Sequence, residues 1–293
     1  MKVLGSYTNG NYICTIFNDG TKVRENDLDN LTPEFAESCD IKITDFCNMN
    51  CQFCHEDSSL NGKHGDIMSL SFIDTIPPYT ELAIGGGNPL SHPDFVPFLK
   101  KLYSRRVIAN TTVNQQHFMQ SFDKIKGLLE SGLIRGLGVS VTSVTPEFIT
   151  AVKQFPNIVL HVINGVIPVE DFKKLYDNNL KVLILGYKMF RRGNDFYSET
   201  VEQNKKELFD EMAELIKHFK IVSFDNLGLK QLEVKRLMSK ERWDEFFMGD
   251  DGGYTFFIDT VRQEFSKSST SVKRYAILPD IKEMFKVVTE EDK

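Results

Sequence analysis

The chain has 293 residues, 41% of them hydrophobic, and a net charge of −6. This length suits one large α/β domain or two small ones, and the acidic balance argues against a dedicated nucleic-acid surface. No apolar run approaches the ~18 residues of a membrane helix, and the first residues lack the apolar core of a signal peptide. We therefore expect a cytoplasmic protein with no membrane partner.

Residues 1–39 are predicted to form an amino-terminal unit. Asn9-Gly10 and Asp19-Gly20 separate runs of aromatic and β-branched residues, and such pairs are the strongest short hairpin signal. Thr32-Pro33-Glu34 places an N-cap residue, a proline and an acid in order, which predicts a short helix. We expect a β meander and a helix that cover the bottom of the following domain, with a lid or a partner surface as alternatives.

Three of the five cysteines lie within eight residues, as Cys47-x3-Cys51-x2-Cys54, directly after a predicted strand over residues 41–46. Soft thiolates packed this closely select zinc or an iron–sulfur cluster. Three thiolates leave one iron of a four-iron cluster open to a small molecule. The alternative is a structural zinc site completed by His55 or His64, although zinc ligands usually come as two spaced pairs.

A second predicted strand, residues 80–84, ends in Gly85-Gly86-Gly87-Asn88-Pro89. Glycines at a strand end let a ligand approach the backbone closely. The spacing fits neither a Rossmann fingerprint nor a P-loop. Taken alone, the run is explained equally well as a tight turn, but its place one β/α unit after the cysteines favours function.

The cysteine spacing, with an aromatic residue before the last Cys, resembles the radical S-adenosylmethionine (radical SAM) enzymes. In that family the open iron of a [4Fe–4S] cluster chelates the amino and carboxylate groups of SAM. Reductive cleavage then gives a 5′-deoxyadenosyl radical, which abstracts a hydrogen from the substrate. The resemblance implies that Cys47, Cys51 and Cys54 hold the cluster, and that an electron donor such as a flavodoxin or ferredoxin is a partner.

The resemblance also implies contacts to SAM from two short segments. Phe53 would pack near the adenine, and the backbone of Gly86 and Gly87, with Gly85 beside them, would hold the methionine end. Asn88 stands where the family usually has a glutamate. The resemblance therefore implies that the main-chain contact is kept and that the acidic contribution to holding the ammonium group is absent.

Strand, helix and short loop alternate about six times over residues 40–220, which indicates parallel βαβ units. In barrels of this kind the site lies at the carboxyl ends of the strands. Those ends carry the cysteines, the glycine run and four further candidate cofactor-binding residues: Ser140, Thr142, Asn164 and Lys188. The resemblance gives the same layout, a partial TIM-type (β/α)6 barrel. It places Ser140 and Thr142 at the methionine carboxylate or ribose of SAM, although ordinary strand-end polar residues explain them equally well.

Residues 221–293 are predicted to be an α+β extension, with candidate seventh and eighth strands near residues 220–224 and 254–265. Thr200 and Gln203 form a capping-box pattern that predicts the start of a long helix. The basic segment 267–274 is interpreted as a solvated loop, with a substrate grip as the alternative. Arg191 and Arg192, which follow the sixth strand, allow the same two interpretations.

The sequence thus predicts a radical SAM enzyme with an unidentified substrate. The alternative is a non-catalytic zinc or iron–sulfur module, such as an electron-transfer protein. Cys39 is predicted not to be a ligand, because an intervening strand separates it from Cys47 by roughly 20 Å at about 3.3 Å per residue. Cys14 lies in the meander and is likewise predicted to be a buried structural residue, and His161 is predicted to be a satisfied interior residue.

Overall fold

The amino-terminal meander is present in the computed structural model, which describes residues 2–28 and 30–291. It consists of β1 (Val3–Asn9), β2 (Tyr12–Phe17) and β3 (Lys22–Glu25), paired antiparallel in that order. Gly10 and Gly20 turn the chain between the strands with positive φ angles, a conformation that glycine adopts without strain. Both predicted hairpin turns are therefore confirmed.

The helix predicted at Thr32 is wrong, and the chain there is an extended connection. The carbonyl oxygen of Thr32 accepts a hydrogen bond from the N–H of Asn11. The side chains of Asn9 and Asn11 accept hydrogen bonds from the N–H groups of Thr32, Glu34 and Phe35. The meander thus satisfies the backbone groups of this segment, which have no need of helical partners.

Eight parallel strands form the centre of the main sheet, which confirms the predicted α/β class with a parallel sheet. Two of them lie outside the six predicted strands, at opposite edges of the core, and two short antiparallel strands follow. In spatial order the strands are β10 (Ile221–Phe224), β9 (Lys181–Leu185), β8 (Ile158–Ile163), β7 (Gly136–Ser140), β6 (Ile108–Asn114), β5 (Glu81–Gly86), β4 (Ser38–Thr44), β11 (Thr255–Asp259), β12 (Glu264–Ser266) and β13 (Tyr275–Ala276).

Helices connect most of these strands, as βαβ units require. Within the described residues, none of them combines the length and the apolar character needed to cross a membrane. Ser198, not Thr200, caps the long helix, because its side chain accepts from the N–H of Val201. The helices are α1 (Phe95–Ser104), α2 (Gln115–Gln120), α3 (Phe122–Glu130), α4 (Pro146–Val152), α5 (Val169–Lys173), α6 (Arg192–Phe196), α7 (Glu199–Leu215), α8 (Asn226–Gln231), α9 (Lys240–Phe246) and α10 (Ile281–Thr289).

The main sheet curls around an interior space that we call the lumen. All seven strands from β4 to β10 contribute side chains to one cavity of about 900 Å³, which a flat sheet would not allow. The alternation of strand residues explains the lining: Cys39 and Ile41 of β4 are buried in the core, whereas Asp40 between them faces the lumen. No pairing joins the two edge strands, β10 and β13, among the described residues, in keeping with a partial barrel.

The meander covers the end of the lumen where the parallel strands begin, as predicted for a structural cover. Lys22 of β3 forms a 2.5 Å ion pair with Glu81 at the start of β5. Arg24 makes two hydrogen bonds, of 2.7 and 2.6 Å, to the carboxylate of buried Glu37. The domain boundaries after residues 39 and 220 stay predictions, although β10 and β11, both beyond the second boundary, extend the core sheet.

Candidate active site

The three clustered cysteines lie in the loop that follows β4, which we call the cysteine loop (residues 45–66). Cys47, Cys51 and Cys54 are half-buried, and all three line one cavity of about 270 Å³ at the carboxyl ends of the parallel strands. Backbone bonds shape the loop: the N–H of Cys47 donates to Ser59 and that of Cys54 to Cys51. Burial raises the pKa of the Cys47 and Cys51 thiols. Three soft donors therefore share one wall.

Two arginines after the sixth predicted strand hold the cysteine loop. Arg192 donates to Asn50 Oδ1 at 2.7 Å and to the Ser58 carbonyl at 2.5 Å. Arg191 donates to the Glu56 carbonyl at 2.7 Å. Both guanidinium groups thus donate to the cysteine loop, and this role replaces the solvated and substrate-grip interpretations of the sequence.

A buried lysine that the sequence interpretation missed joins the loop to two strands. Lys42 is 1% exposed, and its Nζ lies 2.5 Å from Asp45 Oδ1, 2.8 Å from Glu56 Oε2 and 3.3 Å from Asp259 Oδ2. Burial alone would lower the pKa of Lys42, but these carboxylates outweigh it and raise the pKa. Because Asp259 belongs to β11, the network links the cysteine loop to the carboxyl-terminal region.

The glycine run forms another wall of the cavity. A Cβ at Gly85 would meet no atom within 4 Å, so this position opens onto free space. A Cβ at Gly86, which has φ +112°, would lie 2.4 Å from the Thr44 oxygen, and one at Gly87 would lie 2.2 Å from the Phe46 oxygen. Gly85 therefore leaves room for a ligand, whereas Gly86 and Gly87 let the strand end pack against the start of the cysteine loop.

Three further candidates from the sequence line the same cavity: Phe53, Ser140 and Lys188. Lys188 Nζ donates to Ser269 Oγ at 2.9 Å and lies 3.3 Å from His55 Nε2. Ser269 also lines the cavity. The basic segment 267–274, interpreted as a solvated loop, thus places one side chain in the site.

The remaining candidates, Asn88, Thr142 and Asn164, do not line this cavity. The Asn88 Oδ1 accepts from the backbone N–H two residues further on, as a cap of a short helical turn. Thr142 donates its N–H to Gln115, and Asn164 donates through its side chain to Gln231 at 3.0 Å. The structure thus gives these three residues contacts within the fold.

The start of α2, which the sequence interpretation also missed, contacts the cysteine loop twice. Asn114 Nδ2 donates to Cys51 Sγ at 3.7 Å. The buried His117 makes a 2.7 Å hydrogen bond through Nε2 to Asn48 Oδ1. A polar residue at a strand end was the available signal for Asn114, since it is the last residue of β6 as Ser140 is the last residue of β7.

The lumen beside the cavity has a polar lining. Asp40 and His161 line both the cavity and the lumen, yet neither side chain has a hydrogen bond or ion pair within residues 2–28 and 30–291. Burial raises the pKa of Asp40 to about 6, with Lys188 opposing the shift, and lowers the pKa of His161 to about 4. His161 is therefore interior, as predicted, but not satisfied.

Glycine at position 138 makes the placement of His161 possible. A Cβ there would lie 2.5 Å from the His161 ring and 2.8 Å from the Thr112 hydroxyl. The imidazole thus crosses the neighbouring strand β7 and approaches Thr112. The Thr112 hydroxyl and a neutral imidazole are thus brought together in the lumen, which Asp40 also lines.

The donor set fits an iron–sulfur cluster with a ligand beside it. Three soft thiols share one cavity, and the wall at Gly85 has space for a second group. In the described part of the chain, no three His, Cys, Asp or Glu side chains converge as they would around a single metal ion. His64, considered above as a zinc ligand, is bonded to Thr44 Oγ1 at 2.8 Å.

The fold and the site together define an α/β protein with a thiol-lined cavity at the carboxyl ends of parallel strands. The family model of the radical SAM superfamily matches residues 41–191, more than half of the chain. The chain belongs to this superfamily and is an enzyme of the radical SAM class. Membership implies the use of SAM and an iron–sulfur cluster.

Solved structures of SuiB from Streptococcus suis are similar in fold. The SAM-bound form gives a TM-score of 0.58 at 13% identity, covering 89% of this chain and 67% of SuiB. The form bound to the precursor peptide SuiA gives 0.53 at 15% identity, covering 87% and 61%. This chain therefore spans about two thirds of the length of SuiB, and at such identity the likeness shows the fold alone. No curated protein sequence matches this chain.

Proposed function

We propose that this enzyme cleaves SAM reductively at a [4Fe–4S] cluster held by Cys47, Cys51 and Cys54. One observation carries the proposal: the three thiols line the same cavity as the glycine run of a radical SAM chain. When bound, the reduced cluster and SAM supply a 5′-deoxyadenosyl radical that abstracts a hydrogen from the substrate. A one-electron donor such as a flavodoxin or ferredoxin is the proposed partner.

The residues of the chain hold and orient these groups. In our proposal the open space at Gly85 receives the methionine end of SAM, beside the backbone of Gly86 and Gly87. Phe53, whose ring centroid lies 5.9 Å from that of Phe196, offers an apolar face to the adenine. Ser140 and Lys188 line the remaining wall and offer hydrogen-bond donors.

The contribution of the other candidates is indirect in this proposal. Asn88 shapes the turn after the glycines, Thr142 fixes the end of β7 and Asn164 fixes the end of β8, through the contacts described above. The substrate is proposed to bind in the lumen, where Asp40, Thr112 and His161 face the cavity. This lining favours a polar substrate, because unpartnered polar groups inside a protein are costly unless a ligand or water satisfies them.

The test is anaerobic reconstitution of the protein, followed by iron analysis and detection of 5′-deoxyadenosine after reduction with SAM present. We expect about four irons per chain, and loss of most iron and activity when Cys47, Cys51 or Cys54 is changed to Ala. The matched control is Cys14→Ala with Cys39→Ala, since both thiols are fully buried away from the cavity.

Three outcomes would contradict the proposal. Stoichiometric zinc without SAM cleavage would favour a structural module. A cluster that needs Cys39 as a fourth ligand would leave no open iron and would favour an electron-transfer protein. A stable cluster with no SAM cleavage under strong reductant would separate cluster binding from the proposed reaction.

A further inference from the structure

Asn114, the last residue of β6, uses both ends of its side-chain amide. Its Oδ1 accepts a 2.8 Å hydrogen bond from the N–H of Gln116 and thereby caps α2. Its Nδ2 lies 3.7 Å from Cys51 Sγ. Because the oxygen is committed to a backbone donor, the orientation of the amide is determined, and an N–H must face the sulfur.

The neighbours of Asn114 fix it relative to the cysteine loop. Gln115 Oε1 accepts from the N–H groups of Thr142 and Ser143, at 3.0 and 3.1 Å. His117 holds the loop residue Asn48, as described above. The start of α2 is therefore tied to β7 on one side and to the cysteine loop on the other, so that the Asn114 amide has little freedom to turn away from the sulfur.

We propose that Asn114 is a positioning residue that raises the reduction potential of the cluster by donating an N–H to the Cys51 thiolate. The inference rests on the proposed function, since it requires a cluster at the three cysteines. Reduction adds negative charge to the cluster and its thiolates, and hydrogen bonds to sulfur are among the features that set cluster potentials. The donor stabilises the reduced state more than the oxidised state, so its loss makes the cluster harder to reduce.

A purely structural role as a helix cap is the alternative, and the two roles use different atoms. The cap needs the oxygen of Asn114, whereas the potential needs the nitrogen. Asn114→Asp keeps a capping oxygen and replaces the donor with a second oxygen. Asn114→Ala removes both, and Thr145→Ala removes the equivalent cap of α4, where the Thr145 side chain accepts from Phe148 N–H at 3.2 Å outside the cavity lining.

The experiment measures the cluster potential by redox titration followed by electron paramagnetic resonance, in reconstituted wild type and the three variants without SAM. At a fixed solution potential, we expect both Asn114 variants to lower the reduced-to-oxidised ratio about five- to tenfold, where tenfold equals 59 mV for one electron. Asn114→Asp should show the larger effect, because it sets a negative charge beside the thiolate. Thr145→Ala should leave the ratio unchanged.

An intact cluster with an unchanged ratio in Asn114→Asp would overturn the inference and leave Asn114 as a cap only. An equal change in Thr145→Ala would also overturn it, by showing that the effect follows loss of a cap. If Asn114→Asp does not retain iron, Asn114→Ala decides by the same criterion. A wild-type protein without a [4Fe–4S] signal would instead overturn the proposed function. If the wild type does carry the cluster, an unchanged ratio in the variants refutes only the role of Asn114.

Discussion

Charged side chains at the cysteine loop are paired with protein groups, whereas two polar side chains of the adjoining lumen are not. At the loop, every charge we describe is paired: Lys42 with three carboxylates, Arg192 with the loop backbone. In the adjoining lumen, Asp40 and the half-buried His161 lack protein partners among the described residues, and both line the open interior space. The cysteine loop is therefore fixed by contacts within the protein, whereas the polar groups of the lumen are available to a ligand.

This difference separates residues that fix geometry from residues that face a ligand. Buried charges stabilise a fold only when they are paired, and removing one partner is strongly destabilising. Unpartnered polar groups in a water-accessible cavity weaken the fold but remain available for binding, as perturbed groups in clefts often are. Substitutions at the loop should therefore reduce stability, whereas substitutions in the lumen should leave or improve it.

Replacement of Lys42 should destabilise the protein more than any other substitution considered. Lys42→Met removes the only cation described next to Asp45 and Asp259 in this network, and we expect the free energy of unfolding to fall by about 3–5 kcal/mol. Urea unfolding of the cluster-free protein measures it. Lys240→Met is the control, because the Lys240–Asp244 pair is exposed and should contribute at most about 1 kcal/mol. Equal losses in the two variants would show that the buried Lys42 network stabilises the fold no more than an exposed ion pair.

The glycine run contains a position of each kind, because Gly86 packs against the start of the cysteine loop and Gly85 faces open space. Gly86→Ala should destabilise the protein by about 3 kcal/mol, because a side chain is strained at φ +112° and would contact the Thr44 oxygen. Gly85→Ala should cost less than about 1 kcal/mol, since its Cβ would meet open space. Thermal unfolding of both variants measures this.

The same pair distinguishes a role in SAM binding from one in folding. The methyl group of Gly85→Ala would enter the cavity, so we expect SAM affinity of the loaded protein to fall at least about tenfold by overpacking. A titration of SAM that gives equal affinity for wild type and Gly85→Ala would show that the ligand does not use this space.

Asp40 is expected to affect stability in the opposite direction. Its folded pKa of about 6 lies above the roughly 3.9 of an unfolded aspartate, so the native state binds this proton more tightly. Stability contributed by the protonated group should therefore be lost as pH rises from about 4 to about 6. We expect Asp40→Asn to be more stable than wild type at pH 7 by about 1 kcal/mol, a value reduced for contact with lumen water.

Unfolding of both proteins at pH 4.5 and pH 7.5 provides the measurement for Asp40. A difference between them that does not grow with pH would contradict a raised pKa. A destabilised Asp40→Asn would show that the Asp40 carboxylate stabilises the fold, contrary to the role inferred for the lumen.

Replacement of Asn88 should change stability only slightly. Asn88→Ala removes the cap of a three-residue helical turn and should cost about 0.5 kcal/mol. Because the side chain lies outside the cavity lining, SAM affinity should fall less than in Gly85→Ala. A larger loss of SAM affinity at Asn88 would place its amide in the ligand site.

The sequence predicted the parts of the fold that local chemistry decides. Runs such as Ile158–Ile163 and Lys181–Leu185 were recognisable because buried strands are rich in β-branched residues, and both hairpin turns followed from glycine. The helix at Thr32 was mispredicted because distant side chains, those of Asn9 and Asn11, satisfied its backbone first.

The parts of the site that depend on spacing in the sequence were predictable. The parts that depend on tertiary contacts were not. Three cysteines within eight residues predicted the metal-binding loop, and positions at strand ends indicated Ser140 and Lys188. Lys42 reads as an ordinary alternating residue of a strand, since nothing near it in sequence indicates that Asp259 will reach it. The partners of Asn114 were hidden for the same reason, because residue spacing along a strand shows a face but not what opposes it.

The pairing of β11 with β4 can form only late during synthesis of the chain. Thr260 donates to the Lys42 carbonyl at 2.8 Å across 218 residues of sequence, so a ribosome adding roughly 5–20 residues per second needs tens of seconds between the two. During that interval we expect the cysteine loop to lack one of its anchors, because Asp259 is not yet beside Lys42. Nascent chains stalled before and after β11 emerges should therefore differ in protease cleavage of this loop, and equal cleavage would refute the delay.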